Sequence, residues 1–79
     1  MIEDTTNKIE VLRTRAKAYF DNKISVHVTQ YGGEWLNGEI AKVSKDFFML
    51  QERKKGLMPV FFVDVDKIEK LEVEGGGVV

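Results

Sequence analysis

A chain of 79 residues, 43% hydrophobic and 32% charged, has room for one small domain with a modest core. It contains no cysteine and one histidine, which excludes a disulfide framework and an ordinary zinc cluster of cysteine and histidine ligands. The formal net charge of −1 means that any attraction of nucleic acid must come from local clusters of basic residues. We expect no metal and no cofactor.

The N-terminal residues Met1 to Asp4 include two acids, and no apolar stretch of an export signal is present. No apolar run approaches the roughly 20 residues that cross a bilayer. We therefore expect a cytoplasmic protein that has no membrane partner and no small-molecule substrate.

Residues 6–20 carry the one clear helical pattern. Its apolar face repeats at three- and four-residue steps and consists of Ile9, Leu12, Ala16 and Tyr19/Phe20. Asn7 is the predicted N-cap, with Glu10 in the capping-box position, and Asp21-Asn22 is predicted to end the helix. The remaining face holds Lys8, Arg13, Arg15 and Lys17. These bases are either a solvated helix face or a basic strip that docks phosphates.

After Lys23 the apolar period changes to two, which predicts β-strands. The predicted strands cover residues 24–29, 35–43, 47–51, 58–65 and 68–73, separated by turns at 31–34, 44–46, 53–56 and 66–67. The fold class is therefore mainly β, an N-terminal helix followed by a five-stranded, strongly bent SH3-like small barrel over about residues 23–73. Residues 1–74 form a single domain, and the glycine-rich residues 75–79 form a flexible tail.

The fourth predicted strand is apolar on both faces. Met58, Val60 and Phe62 alternate with Phe61, Val63 and Val65. Such a strand must be covered on both sides; the helix could cover one patch, and a neighbouring subunit could cover another. The same argument applies to two adjacent pairs, Phe47-Phe48 and Phe61-Phe62. One ring of each pair belongs to the core, and the other must be covered by the helix, a partner chain or a ligand.

Enzyme signatures are absent from the sequence, which has no dinucleotide fingerprint, phosphate loop or nucleophile elbow. Asp64 and Asp66 are two residues apart, but turn and strand-end roles suit them better than acid–base chemistry or cation binding. His27 lies on the polar face of its strand, as a surface or hydrogen-bonded histidine. Trp35 could stack on a base or close the end of the barrel, and the second role is favoured.

The segment from Leu36 to Leu50 resembles, without a gap, the first motif of the Sm-like superfamily, which includes the LSm and Hfq proteins. Gly38, Ile40 and Val43 fit its conserved places, since a glycine lets a long strand bend sharply. Residues 61–71 are similar to the second motif in shape, and the likeness covers residues 7–73. It implies the Sm fold, a homo-oligomeric ring of about five to eight subunits and RNA as a partner.

Several places depart from that pattern. Ser44 occupies the position of the family's turn aspartate, and Phe48 that of its strand-three asparagine. Asp64-Val65 occupies the position of the family's arginine–glycine pair, and Asp46 that of the residue that stacks on a base. The resemblance therefore implies the fold without the usual uridine pocket. Candidate RNA-binding residues are Arg13, Arg15, Lys17, Lys45, Phe47 and Trp35. Candidate subunit-interface residues are Val60, Phe61, Phe62, Val63, Ile68 and Leu71.

Two functions remain open. The first is an Sm-like ring that binds RNA weakly and without sequence preference through the basic helix and turn residues, including the turn Arg53-Lys54-Lys55. The alternative is a ring or adaptor domain that scaffolds protein partners, favoured by the near-neutral charge and the lost pocket residues. RNA binding that depends on phosphates weakens steeply with salt, whereas a hydrophobic protein interface does not.

Overall fold

The computed structural model describes the backbone of residues 3–72 and the side chains of residues 7–72. Its elements are α1 (Glu3–Asp21), β1 (Val26–Gln30), β2 (Trp35–Val43), β3 (Phe47–Glu52), β4 (Gly56–Phe61), a 3₁₀ turn (Phe62–Asp64) and β5 (Val65–Lys70). The predicted flexible tail, residues 75–79, lies outside the described residues.

Helix α1 begins three residues earlier than predicted, at Glu3. Asn7 therefore lies inside the helix, and its prediction as the N-cap is wrong. Acidic residues are favoured in the first turn of a helix, so the sequence is compatible with this earlier start.

The predicted helix end is confirmed, and the structure shows how the chain leaves the helix. Lys23 adopts a left-handed conformation (φ 53°). The N–H of Ile24 donates to the carbonyl of Tyr19 at 3.0 Å, and the N–H of Lys23 donates to that of Phe20 at 3.2 Å. These are the two bonds of a Schellman motif, which satisfies carbonyl groups that the helix leaves unpaired.

The buried face of α1 packs on the barrel through Leu12 and Ala16, with Ile9 and Tyr19 partly buried beside them. Phe20 is 37% exposed, so its predicted inward position is wrong. Tyr19 lies seven residues from Leu12 and returns to nearly the same side of the helix, whereas Phe20 is turned about 80° away from Leu12.

The five strands form one antiparallel sheet in the order β4-β3-β2-β1-β5, with β4 and β5 as its two edges. A register shift between Ile40 and Lys42 interrupts the pairing of β2 with β3. A bulge of this kind bends a strand and helps a short sheet curl around its core. The buried core side chains are Leu12, Ala16, Val26, Val28, Leu36, Ile40, Phe48, Leu50, Val60, Phe62, Val65 and Ile68.

The predicted fourth strand, residues 58–65, is wrong because the 3₁₀ turn divides it. Consequently, the predicted turn at Asp66-Lys67 lies inside β5. Side chains three residues apart eclipse each other in a 3₁₀ turn, and Phe62 and Val65 are indeed both buried at 1% exposure. In a continuous strand these two side chains would point to opposite faces. The doubly apolar pattern therefore reflects a change of direction of the chain.

The predicted division of the phenylalanine pairs is confirmed. Phe48 and Phe62 are buried with ring centroids 5.4 Å apart, and Phe47 and Phe61 face each other across β3 and β4 with the same separation on the outer surface. Phe47 is half-buried, and Phe61 is 45% exposed. The outer pair leaves aromatic surface at the free edge of the sheet.

Candidate nucleic-acid interface

Four of the predicted RNA-binding residues lie at opposite ends of the β2–β3 ribbon: Arg13, Lys45 and Phe47 at one end and Trp35 at the other. Trp35 and Val43 terminate β2, and eight residue steps of about 3.3 Å separate them by up to about 26 Å. We call the group beside the β2–β3 turn the helix end; its members are Arg13, Lys45, Asp46, Phe47 and Phe61. The group at the other end, called the tryptophan end, comprises His27, Trp35, Asn37, Glu52 and the turn 53–55.

At the helix end, two hydrogen bonds fix the turn that joins β2 to β3. Arg13 Nε donates to the carbonyl of Lys45 at 3.0 Å. The backbone N–H of Phe62 donates to the carbonyl of Asp46 at 3.0 Å. Helix α1, the β2–β3 turn and the 3₁₀ turn therefore meet here, with the Arg13 side chain bonded to the backbone of the turn that carries Lys45.

The bases of α1 do not form the continuous strip that the sequence suggested. Arg13 and Lys17 are four residues apart on one side, whereas Arg15 is about 200° around the helix from Arg13. Arg15 instead lines a groove on the outer face of α1 with Asn7 and Val11. Lys17 is engaged with Asp21 in an exposed ion pair of 3.2 Å.

Lys8 connects helix α1 to the barrel through its side-chain bonds. Its Nζ donates to the Tyr31 hydroxyl at 2.6 Å and to Asp66 Oδ1 at 3.2 Å, and it also lies 5.0 Å from the centre of the Tyr31 ring. The hydrogen bond to Tyr31 and the bond to Asp66 raise the pKa of Lys8. Asp66 therefore has a structural partner.

Among residues 7–72 no group of three side chains is arranged to hold a metal ion.

At the tryptophan end, the prediction that Trp35 closes the barrel is wrong. Trp35 is 59% exposed, because the buried side chain at the start of β2 is its neighbour Leu36 and successive strand residues point to opposite faces. The ring of His27 packs against that of Trp35, with 5.6 Å between the ring centroids and 36° between the ring planes. His27 Nδ1 is also hydrogen-bonded to Asn37 Oδ1 at 2.6 Å, which agrees with its predicted role as a hydrogen-bonded histidine.

Glu52 organises the basic turn beside Trp35. Its Oε1 accepts the backbone N–H groups of Lys54 and Lys55, each at 2.8 Å, and its Oε2 accepts the N–H of Asn37 at 3.1 Å. These three bonds, led by that of Asn37, lower the pKa of Glu52. The N–H of Arg53 donates to the carbonyl of Asn37 at 2.9 Å, which ties the turn to β2 a second time.

Sequence reasoning missed Glu52, because strand periodicity says nothing about a carboxylate that bonds to backbone groups. The available signal was an acid placed directly before a turn of three bases, where its oxygens can accept the N–H groups of that turn. Glu52 is 7% exposed, while the side chains of Arg53, Lys54 and Lys55 are exposed.

The subunit-interface candidates also divide. Val60, Phe62 and Ile68 are at most 1% exposed in the core of their own domain, so they could reach a neighbour only through their backbone. Phe61 and Val63 are exposed, at 45% and 63%, and Leu71 is half-buried.

No protein-family model matches the chain, and no curated protein sequence matches it. The fold is similar to a crystal structure of Hfq, described as a pleiotropic translational regulator, with a TM-score of 0.66 and 15% sequence identity. The match covers 75% of this chain and 97% of that chain. No helix among residues 3–72 is long and apolar enough to span a membrane. The chain has the Sm-like fold: an N-terminal helix followed by five antiparallel strands in a bent sheet.

Proposed function

We propose that the protein assembles into a closed homo-oligomeric ring and binds RNA without strong base preference, as a binding module rather than an enzyme. The observation that carries this proposal is the fold itself: a sheet like that of Hfq whose edge strands, β4 and β5, have one unpaired side each among residues 3–72.

The ring follows from the two free edges. An unpaired edge strand exposes a row of N–H and C=O groups that another strand can pair with. Pairing β4 of one subunit with β5 of the next is a head-to-tail contact, and such contacts form a ring when the rotation closes. Phe61 and Val63 flank the β4 end and would lose their exposed apolar surface in this contact.

The RNA contacts of this proposal lie mainly at the helix end. Arg13, which bonds to the backbone of Lys45, and Lys45 itself supply positive charge, and Phe47 offers ring surface for a base. Lys17 follows Arg13 on the same side of α1, and Arg15 adds positive charge on the other side of that helix. Bases that bind phosphate release counterions, so the affinity should fall steeply with salt.

Fluorescence anisotropy of a labelled single-stranded RNA, titrated at about 50 and 200 mM salt, tests this proposal. We expect clear binding at low salt, a loss of affinity at high salt, and a further loss when Arg13, Arg15 and Lys17 are changed to Glu together. Absence of binding at low salt would reject the RNA part of the proposal.

The second candidate function, a scaffold for protein partners, is favoured by one observation. Leu57 and Phe61 lie on the outer side of β4, with Val63 just beyond it, and all three are more than 40% exposed. A protein interface on this surface would persist at high salt, in contrast to phosphate binding.

A further inference from the structure

We propose that Pro59 sets the register in which one subunit joins the next, with Phe61 opposite Ile68 of the next subunit and Pro59 opposite its Lys70. This inference rests on the proposed ring and gives a residue of the β4 edge a role in the specificity of assembly. It concerns the joint, meaning the contact of β4 with β5 of the next subunit, and does not depend on RNA binding.

One hydrogen bond at the end of β4 shows which residues of that strand face its free edge. The N–H of Phe62 donates to the carbonyl of Asp46 at 3.0 Å, in register with the pairing of β3 and β4. Hydrogen-bonded and non-hydrogen-bonded pairs alternate along an antiparallel ladder. The residues of β4 with exposed side chains, Leu57, Pro59 and Phe61, therefore direct their backbone groups to the free edge.

The free edge of β5 follows from the same argument. The N–H of Leu71 donates to the carbonyl of Ser25 at 2.9 Å, in register with the pairing of β1 and β5. Alternation then turns the backbone groups of Glu69 towards β1 and leaves those of Ile68 and Lys70 at the free edge. Both of these residues can donate and accept a hydrogen bond there.

Pro59 leaves a gap among the donors of the β4 edge. Proline has no backbone N–H, and within a sheet it is confined to places where that group would face away from the neighbouring strand. A strand that adds to this edge can donate to the Pro59 carbonyl, but the carbonyl opposite Pro59 finds no donor. Because a buried carbonyl without a donor is costly, the residue opposite Pro59 must be one whose carbonyl water can reach.

The exposed apolar side chains favour an antiparallel joint. Residues directly opposite each other in an antiparallel pair place their side chains on the same face of the sheet. An antiparallel joint therefore places Leu57 and Phe61, which are 58% and 45% exposed, on the face from which Ile68 of the next subunit enters its core. A parallel joint would instead place them beside the exposed Lys67 and Glu69.

Three registers of this joint place Pro59 opposite a residue of β5. Opposite Ile68, the carbonyl without a donor would lie in the middle of β5 and be covered by the joint. Opposite Asp66, the joint would meet the place where the pairing of β5 is already irregular. Opposite Lys70, the last residue of β5, water can replace the missing donor, and Phe61 then forms both bonds with Ile68.

Introduced cysteine pairs report the register without background, because the chain has no cysteine of its own. Met58 lies opposite Leu71 in the proposed register and opposite Glu69 in the register that pairs Pro59 with Ile68. The Cα atoms of such opposite residues are about 4.5 Å apart, which suits a disulfide, whereas diagonal neighbours at about 7–8 Å are too far apart. We would oxidise M58C/L71C and M58C/E69C and count the linked chains on a denaturing gel.

M58C/L71C should form linked chains up to the size of the ring. M58C/E69C should link roughly tenfold less or lower, because an unsatisfied buried carbonyl disfavours its register. Adding P59A restores the missing donor and should allow M58C/E69C to link. Adding L57A instead trims an exposed side chain of the same edge, leaves every donor in place and should keep that pair unlinked.

A second set of pairs uses exposed positions alone, because Met58 is partly buried. L57C/E72C tests the proposed register, and L57C/K70C tests the shifted one. Light scattering of every variant in the reduced state verifies that it assembles before oxidation.

The outcomes are distinct. Linking of M58C/E69C and L57C/K70C in place of M58C/L71C and L57C/E72C would overturn the register and leave the ring standing. Failure of P59A to release the shifted pair would overturn the role of Pro59 in the same way. A wild-type monomer by light scattering would overturn the ring and this inference together.

Discussion

Gly38 lies directly against the backbone carbonyl of Gln51 on the neighbouring strand, so close that a methyl group on Gly38 would overlap the carbonyl oxygen. The two strands approach each other this closely where β2 and β3 curl around the core, with Gly38 paired to Glu52 in the register. Strand bending is the reason that the sequence suggests for a glycine here, and the close approach of the two backbones in the structure gives a different reason.

Gly38→Ala should therefore destabilise the protein by about 1–3 kcal/mol or more, since a backbone carbonyl cannot move aside as a flexible side chain can. Chemical denaturation measures the free energy of unfolding. Gly33→Ala provides a comparison, because a methyl group there has open space and only the positive φ of 97° opposes it. Equal stability of Gly38→Ala and the wild type would show that the strands are not held this closely.

Leu12→Ala should lower the free energy of unfolding by about 2–4 kcal/mol, because Leu12 is 4% exposed between α1 and the barrel. Val11→Ala, which changes a neighbouring residue that is 54% exposed, should have little effect. Thermal or urea denaturation of the pair measures this difference. A larger loss for Val11→Ala would mean that α1 packs on the barrel through its other face.

Glu52 should make stability depend on acid pH. Its pKa is lower in the folded state than its ordinary value of 4.5, because three backbone N–H groups stabilise the carboxylate. The resulting stabilisation is complete above the unfolded-state pKa and is lost as the pH falls through the lower folded-state pKa. Urea denaturation between neutral pH and about pH 3 should therefore show a decline below the ordinary glutamate range.

Glu52→Gln should reduce stability at neutral pH and flatten this acid decline, because the amide group cannot accept all three hydrogen bonds. Glu39→Gln, an exposed change on β2 with the same loss of charge, serves as the control. An unchanged acid decline in Glu52→Gln would assign it to other carboxylates.

The contrast between β2 and the 62–65 segment shows how far sequence patterns reach. β2 was predicted with its observed bounds, Trp35 to Val43, because its alternation is flanked by a Gly-Gly turn and a Ser-Lys-Asp turn. The segment from Phe62 to Val65 was misread because a 3₁₀ turn returns every third side chain to the core, and the apolar residues alone resemble a continuous strand.

The candidate site was harder to predict from the sequence than the fold was. The bond from Arg13 to the Lys45 carbonyl joins residues 32 positions apart, and strand pairing brings Trp35 to the same end as the basic turn. Residue types identified these groups as candidates, but only the three-dimensional fold divides them between two ends. The bonds of Glu52 to backbone N–H groups have no periodic signature.

Assembly should depend on Phe61. Light scattering on a sizing column should give a mass of about five to eight chains for the wild type, as expected for a closed head-to-tail ring. Phe61→Lys should shift the mass to the monomer, because it places a charge on exposed apolar surface beside the β4 edge. Val11→Lys changes a comparably exposed apolar residue on α1 and should leave the mass unchanged. A stable wild-type monomer at micromolar concentration would reject the ring.

Oligo-U and oligo-A should bind with similar affinity, within about threefold. A pocket that selects uridine needs hydrogen-bonding groups around the base, whereas the family's asparagine place is occupied here by the buried Phe48 and its arginine place by Asp64. Asp46 and Asp64 are both exposed at turns, and carboxylates near a phosphate are repulsive in a partly desolvated site. Binding should then come from phosphates and base stacking, which tolerate any sequence and weaken with salt.

Competition titrations of the two oligonucleotides at about 50 and 200 mM salt measure this preference. Asp64→Ala should leave oligo-U affinity unchanged or slightly raised, because it removes a negative charge without removing a base contact. Asp66→Ala is a poor control, since Asp66 bonds to Lys8, so Glu69→Ala, an exposed acid on β5, is the matched change. Tight oligo-U binding that persists at high salt and is lost in Asp64→Ala alone would establish a uridine pocket that uses this carboxylate as a hydrogen-bond acceptor for the base.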